Sequence, residues 1–213
     1  MDITDIWVER YRPTTLDDIV LSDDKRAYFN RVKETSNLPN LLLVGSPGVG
    51  KTTLAKVIVN DILESQYLYI NASDENGIDT IRSKVTQFAQ IKSFDGGIKV
   101  IILDEADGCS QDAQRALRNT MEEYASITRF ILTANYTHRV IPALQSRCQT
   151  FDLTPPLDCC RARIDYILKN EKIEVSDEMS KRLDMFIRSK YPDLRKIINE
   201  LQKYCSSGTL NII

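Results

Sequence analysis

Gly45-Ser46-Pro47-Gly48-Val49-Gly50-Lys51-Thr52 constrains this chain more than any other stretch. It is a glycine, four free positions and then Gly-Lys-Thr. Before it lies Leu41-Leu42-Leu43-Val44, a short apolar run suited to a buried parallel strand. After it, Thr53 to Val59 continues as a helix with Leu54, Val57 and Ile58 on one face. A strand, a glycine loop and a helix in that order make a phosphate cradle. Backbone N–H groups point into the loop, and the helix N-terminus adds partial positive charge. Gly45, Gly48 and Gly50 can adopt backbone angles that a side chain forbids. Lys51 is expected to reach the β- and γ-phosphates, and the Thr52 hydroxyl to ligate magnesium. The pattern predicts binding of a nucleoside triphosphate.

The second half of such a site belongs at the end of another apolar strand. Lys99-Val100-Ile101-Ile102-Leu103 is that strand, and it runs into Asp104-Glu105-Ala106-Asp107. Asp104 is expected to hold hydrated magnesium, and Glu105 to orient and deprotonate an attacking water. Tyr67 to Asn71 and Arg129 to Thr133 read as further strands, and Gln149 to Leu153 as a fifth. Asn135, just past the fourth strand, is placed to lie near a γ-phosphate, although a loop Asn capping its own turn is the alternative. Helices are expected over 22–32, 78–91 and 111–124. Alternation of strands and helices implies a parallel sheet covered on both faces, with ligand at the carboxyl ends of the strands. The N-terminal stretch Trp7-Val8-Glu9-Arg10-Tyr11-Arg12-Pro13 is expected either to pack on a base or to cover a sheet edge.

Thr154-Pro155-Pro156 ends this pattern, because paired prolines continue neither a helix nor a central strand. Three amphipathic helices follow, near 159–169, 176–189 and 193–204. A unit that small is marginal alone and should pack on the first. The predicted division is therefore 1–153 and 157–213. Arg195 projects away from the apolar stripe of the last helix.

The formal net charge of the 213 residues is −2, so any contact with nucleic acid needs its positive charge gathered on one face or supplied by an assembly. The five cysteines contain no Cys-x-x-Cys pair and suggest neither a zinc site nor a disulfide framework. With no apolar leader and no run of membrane-spanning length, a soluble, cytoplasmic protein is expected. No Asn-Lys-x-Asp sequence for reading guanine occurs.

Taken in order, these stretches resemble the AAA+ clamp-loader ATPases. That family includes the small subunits of eukaryotic and archaeal replication factor C and the large clamp-loader subunit of tailed bacteriophages. The stretches are Trp7 to Pro13, the phosphate loop, Asn71 to Asp79, Asp104 to Asp107 and Ala113 to Arg118. Thr133-Ala134-Asn135, Gln145-Ser146-Arg147-Cys148 and Asp193-Leu194-Arg195 complete the set. The resemblance implies a P-loop AAA+ domain with a five-stranded parallel sheet, followed by a three-helix lid. It implies Asn135 as sensor 1, Arg195 as sensor 2 and Arg147 as an arginine finger serving the adjacent subunit, with Arg118 assisting in trans. It places Tyr11, Arg12 and Val20 around adenine, and Arg82 and Arg115 on DNA phosphates. ATP, Mg2+, a five-subunit spiral, a sliding clamp and primer–template DNA come with it. The family's helical collar domain is expected to be missing from these 213 residues, which are then either a fragment or a subunit that assembles through its ATPase interfaces alone. The finer details lean toward the phage version. Another AAA+ DNA motor or initiator and a non-hydrolysing ATP-binding scaffold subunit are the alternatives.

Overall fold

The computed structural model describes residues 6–73, 78–91, 97–206 and 208–212; for 78–82 and Ser206 only the backbone is described. The loop Asp74–Gly77, most of the turn before the third strand and the side chain of Arg82 therefore lie outside the described residues.

The sheet is built from β1 (Leu41–Val44), β2 (Tyr67–Asn71), β3 (Lys99–Asp104), β4 (Thr128–Ala134) and β5 (Gln149–Asp152), in the order β2-β3-β4-β1-β5. All four pairings are parallel. The middle residues of the central strands are apolar because both faces are covered. Leu41, Leu43, Val100, Ile102 and Ile131 face one core, while Leu42, Val44, Ile101, Leu103, Phe130 and Leu132 face the other. On the first face lie α2 (Asp23–Thr35) and α3 (Lys51–Val57), the latter running into a π-helical turn at Ile58–Ile62. On the second lie α4 (Ile78–Gln90) and α5 (Gln111–Glu123). Lys99 is an exception to the apolar rule, only 3% exposed. Its ammonium donates to the carbonyls of Phe88 and Ile91 at the end of α4. Those acceptors satisfy a charge that burial would otherwise penalise.

Register fixes where the strands deliver their next residues. Val44 is level with Ala134 and Asp152, and Leu103 with Leu132. The residues that follow Val44, Asp104 and Ala134 thus leave the sheet along one edge. A one-residue slip would turn each strand's side chains to the wrong face.

The three helices after the prolines are α7 (Leu157–Asn170), α8 (Asp177–Lys190) and α9 (Leu194–Lys203). Ser176 and Asp193 cap the last two, each accepting an N–H bond from a residue in the first turn. A hairpin of β6 (Cys205–Ser206) and β7 (Thr209–Leu210), absent from the sequence expectation, brings Leu210 and Ile212 into the same core. The N-terminal stretch also holds a helix the sequence did not predict, α1 (Trp7–Arg10). Trp7 covers no sheet edge. It is 5% exposed within the helical core, among Ile164, Leu183, Phe186, Ile197 and Leu201. Its backbone N–H donates to Gln202 Oε1 at 3.0 Å. Among the described residues no helix is long and apolar enough to cross a membrane.

Trp7→Ala should therefore destabilise the chain by about 3–5 kcal/mol, as core Trp truncations do. Urea unfolding followed by circular dichroism would measure it. A loss below about 1 kcal/mol would mean that the indole is not part of this core.

Candidate nucleotide site

The edge defined by the register carries the phosphate loop. Gly45, Gly48 and Gly50 all have positive φ, at 146°, 80° and 97°. Two of them matter for different reasons. A Cβ on Gly50 would meet nothing within 4 Å, so only its left-handed backbone calls for glycine. A Cβ on Gly48 would lie 1.8 Å from Asp193 Oδ1, because the start of α9 presses on the loop. The Arg195 N–H also donates to the Gly48 carbonyl at 3.3 Å. The expectation that the second unit packs on the first is met here, at the loop itself.

Lys51, 7% exposed, donates to the carbonyls of Gly45 at 2.8 Å and Ser46 at 2.9 Å, and to Asn135 Oδ1 at 2.7 Å. Burial pushes its ammonium pKa down, opposed by the nearby carboxylates of Asp107 and Asp104. The Asn135 side chain thus meets the loop lysine rather than capping its own turn. Its backbone N–H and that of Tyr136 donate to Asp107 Oδ2, at 3.2 and 3.0 Å.

Asp104, at the end of β3, accepts from three hydroxyls on three elements. Thr52 Oγ1 lies 2.8 and 2.9 Å from its two oxygens, Tyr69 OH 2.8 Å from Oδ2 and Thr133 Oγ1 2.6 Å from Oδ1. Thr133 Oγ1 also accepts from the Glu105 N–H at 2.9 Å. Glu105 itself is exposed and held at φ 55°, a strained value for a side-chain-bearing residue. One hydroxyl beside one buried carboxylate is an all-oxygen pair that fits a hard cation. Magnesium keeps waters and phosphate oxygens for its other positions and needs no cluster of protein carboxylates. Among the described residues no group of three or more His, Cys, Asp or Glu forms such a cluster.

On the other side of the loop is a cleft. Tyr11, Arg12 and Val20 line it together, against Gly48, Val49, Gly50 and Thr53 and beneath Arg195 of α9. Sequence reasoning missed Val8, Ile19, Arg163, Leu194 and Ile198, which line it as well. Ser46 and Pro47 are exposed at the loop tip.

Arg147 follows α6 (Pro142–Gln145) and is held by Glu122 of α5. Its Nε lies 2.8 Å from Glu122 Oε1, a second nitrogen also contacts that oxygen, and Nη1 donates to the Ala143 carbonyl at 2.8 Å. The Arg147 guanidinium holds the Glu122 carboxyl below its usual range, and Arg118 adds to the effect. Arg118 donates to Asn119 Oδ1 at 2.7 and 3.1 Å, and its charge also acts on Glu122, which groups Arg118, Glu122 and Arg147 on one patch. Arg115 is exposed on α5 and paired with Asp112 at 2.8 Å. His138 is exposed. Gln114, to which the resemblance assigned no role, is 1% exposed. It donates to the carbonyls of Cys109 and Arg139 at 3.2 and 3.0 Å and accepts from the Ile141 N–H at 2.8 Å, tying the loops after β3 and β4 together.

Residues 41–155 match the family model described as "ATPase family associated with various cellular activities (AAA)". The chain belongs to the AAA family of ATPases. Residues 161–212 match a second model, "Sliding-clamp-loader large subunit, AAA+ ATPase lid domain". Among relatives of this AAA chain, the replication factor C small subunit of Sulfurisphaera tokodaii is 43% identical over 215 residues, covering 97% of this chain and 64% of that protein. That of Archaeoglobus fulgidus is 39% identical over 214 residues, covering 98% and 66%. The chain thus spans about 64% of the first relative's length. Among solved structures, the Thermotoga maritima RuvB Holliday junction branch migration motor superposes with a TM-score of 0.69 over 91% of this chain and 64% of that one. At 20% identity that likeness speaks for the AAA fold alone.

Gly48→Ala and Gly50→Ala separate space from backbone. Gly50→Ala should cost about 1–2 kcal/mol for the left-handed residue alone. Gly48→Ala should cost more, because α9 must also move off the loop. Urea denaturation of both variants tests this, and equal losses would mean that the Asp193 contact carries no weight.

Proposed function

We propose that this chain is the ATPase and lid portion of a sliding-clamp loader subunit, which couples ATP hydrolysis to placing a ring-shaped clamp on primer–template DNA. The observation that carries the proposal is the closed set Lys51–Asn135 and Thr52–Asp104, with α9 seated on the phosphate loop. The family and its lid model give that set its context.

ATP lies with its base in the Tyr11, Arg12 and Val20 cleft and its triphosphate over residues 45–53. Backbone N–H groups of the loop and the α3 N-terminus bind phosphate oxygens. Lys51 exchanges its carbonyl partners for the β- and γ-phosphates, moving a short way within a site already built of oxygen acceptors. Thr52 and Asp104 would hold Mg2+, which supplies charge neutralisation on the triphosphate. Glu105 accepts a proton from water as that water's oxygen bonds to the γ-phosphorus and the bond to the bridging oxygen breaks. Asn135, fixed by Asp107 and Lys51, orients the water. Arg195 reaches the γ-phosphate from the lid. Arg147 leaves Glu122 to stabilise the transition state of a neighbouring subunit, with Arg118 beside it. An exposed ion pair such as Arg147–Glu122 is weak enough to be exchanged for a phosphate.

In this reading residues 1–153 form the ATPase body and 157–213 the lid. The partners are other subunits in a five-membered spiral, the clamp and primer–template DNA. Arg82 and Arg115 meet DNA phosphates, which position a duplex without reading its sequence. The working compartment is the cytoplasm, or the nucleus in a eukaryote. The reported relatives are archaeal, so the lean toward the phage branch rests on the stretches 144–156 and 206–208 of the sequence alone.

Glu105→Gln should bind ATP as the parent does while losing turnover by at least a hundredfold, the scale of general-base loss. Arg147→Ala should also be inactive. Mixing these two inactive variants should restore part of the rate, since one supplies an intact site and the other an intact finger. A mixture as silent as its components would place Arg147 outside the neighbour's site.

A further inference from the structure

The wall of the base-side cleft is mounted on the helical unit rather than on the sheet. Trp7 is buried in that unit's core and bonded to Gln202. Tyr11 OH donates to Glu171 Oε1, at the end of α7, at 2.6 Å. The decisive contact comes from Arg163 in the middle of α7. Its Nη2 donates to the Tyr11 carbonyl at 2.9 Å, and its Nη1 lies 3.6 Å from Asp18 Oδ1. Its guanidinium stacks 5.0 Å over the Tyr166 ring, which itself packs edge-on against Tyr11. The Arg163 side chain is 12% exposed, and the residue lines the cleft.

We propose that Arg163 is the positioning residue for base selectivity. It holds the Tyr11–Pro13 backbone at the height where that backbone meets the edge of adenine. The inference rests on the cleft being the base pocket of an ATP site, as proposed above. A guanidinium is planar, permanently charged and pre-organised, so contacts on several sides fix it where a flexible cation would wander. Discrimination between two purines of nearly equal size needs polar groups held in place, since apolar walls distinguish them poorly. The Tyr11–Pro13 segment spans no strand or long helix, so the Tyr11 carbonyl has Arg163 as its fixed point. An arginine with free donors would seek the O6 and N7 acceptors of guanine. Directed at Tyr11 and Asp18, Arg163 serves the wall instead. The same contact ties the wall to α7, so nucleotide bound at the base and at the phosphates bridges the helical unit and the sheet.

The test measures dissociation constants for ATP and GTP, each with magnesium, by calorimetry on the full chain and on Arg163→Met and Arg163→Lys. Methionine keeps the stem over Tyr166 and removes the donors; lysine keeps a cation and one donor direction. Arg163→Met should weaken ATP about tenfold and GTP by less, so that the preference for ATP falls. Arg163→Lys should recover most of that preference. If Arg163→Met fails to fold, the lysine variant still decides: a preference intermediate between parent and none supports the proposal, and an unaltered one overturns it. Equal weakening of both nucleotides, or no weakening, also overturns it by reducing Arg163 to a structural contact. A parent chain that binds neither nucleotide would instead bring down the ATP-site reading itself.

Discussion

A lysine ammonium that is 7% exposed has to be surrounded by acceptors, and this requirement ties the site together. Lys51 finds its acceptors in two carbonyls of its own loop and in Asn135 at the end of β4. The Asn135 contact joins residues far apart in sequence and is possible only because β1 and β4 are neighbours in register. A cation held this way is stable without ligand, yet every partner is a neutral oxygen that a phosphate can replace at little loss. Burial lowers its pKa while Asp107 and Asp104 oppose that shift, which keeps a positive charge available in the loop.

The second half of the site follows the same logic with the sign reversed. Asp104 is 7% exposed and is surrounded by the hydroxyls of Thr52, Tyr69 and Thr133. Hydroxyls satisfy a carboxylate without neutralising it, so the charge remains for a cation. Thr133 relays this order to Glu105 through the backbone N–H, which helps hold the strained residue in its left-handed conformation. The helical unit then closes on the loop at Gly48, where only a residue without a Cβ allows α9 to approach.

What could be read from the sequence is what depends on short spacing. The glycine loop, the carboxylates at a strand end and the apolar periodicity of α7, α8 and α9 are local patterns, and the strands were found where they were expected. The partners that lie outside these patterns were not legible. Trp7 pairs with Gln202 at the opposite end of the chain, and an aromatic residue near the start gives no sign of which core will take it. Tyr69, Asp107 and Gln114 matter through long-range bonds, and each reads alone as an ordinary residue of a strand, a loop or a helix. Arg163 lies on the polar side of an amphipathic helix, where an arginine normally reads as solvated surface. The β6–β7 hairpin, two residues on each strand, is too short to carry a period.

We propose that this site drives a machine acting on DNA without regard to sequence. Steady-state ATP hydrolysis, with and without primer–template DNA and titrated against salt, tests it most directly. The account predicts a DNA-stimulated rate whose stimulation falls steeply as salt rises, because phosphate contacts release counterions on binding. A rate indifferent to DNA at every salt concentration, with the partner subunits present, would contradict it.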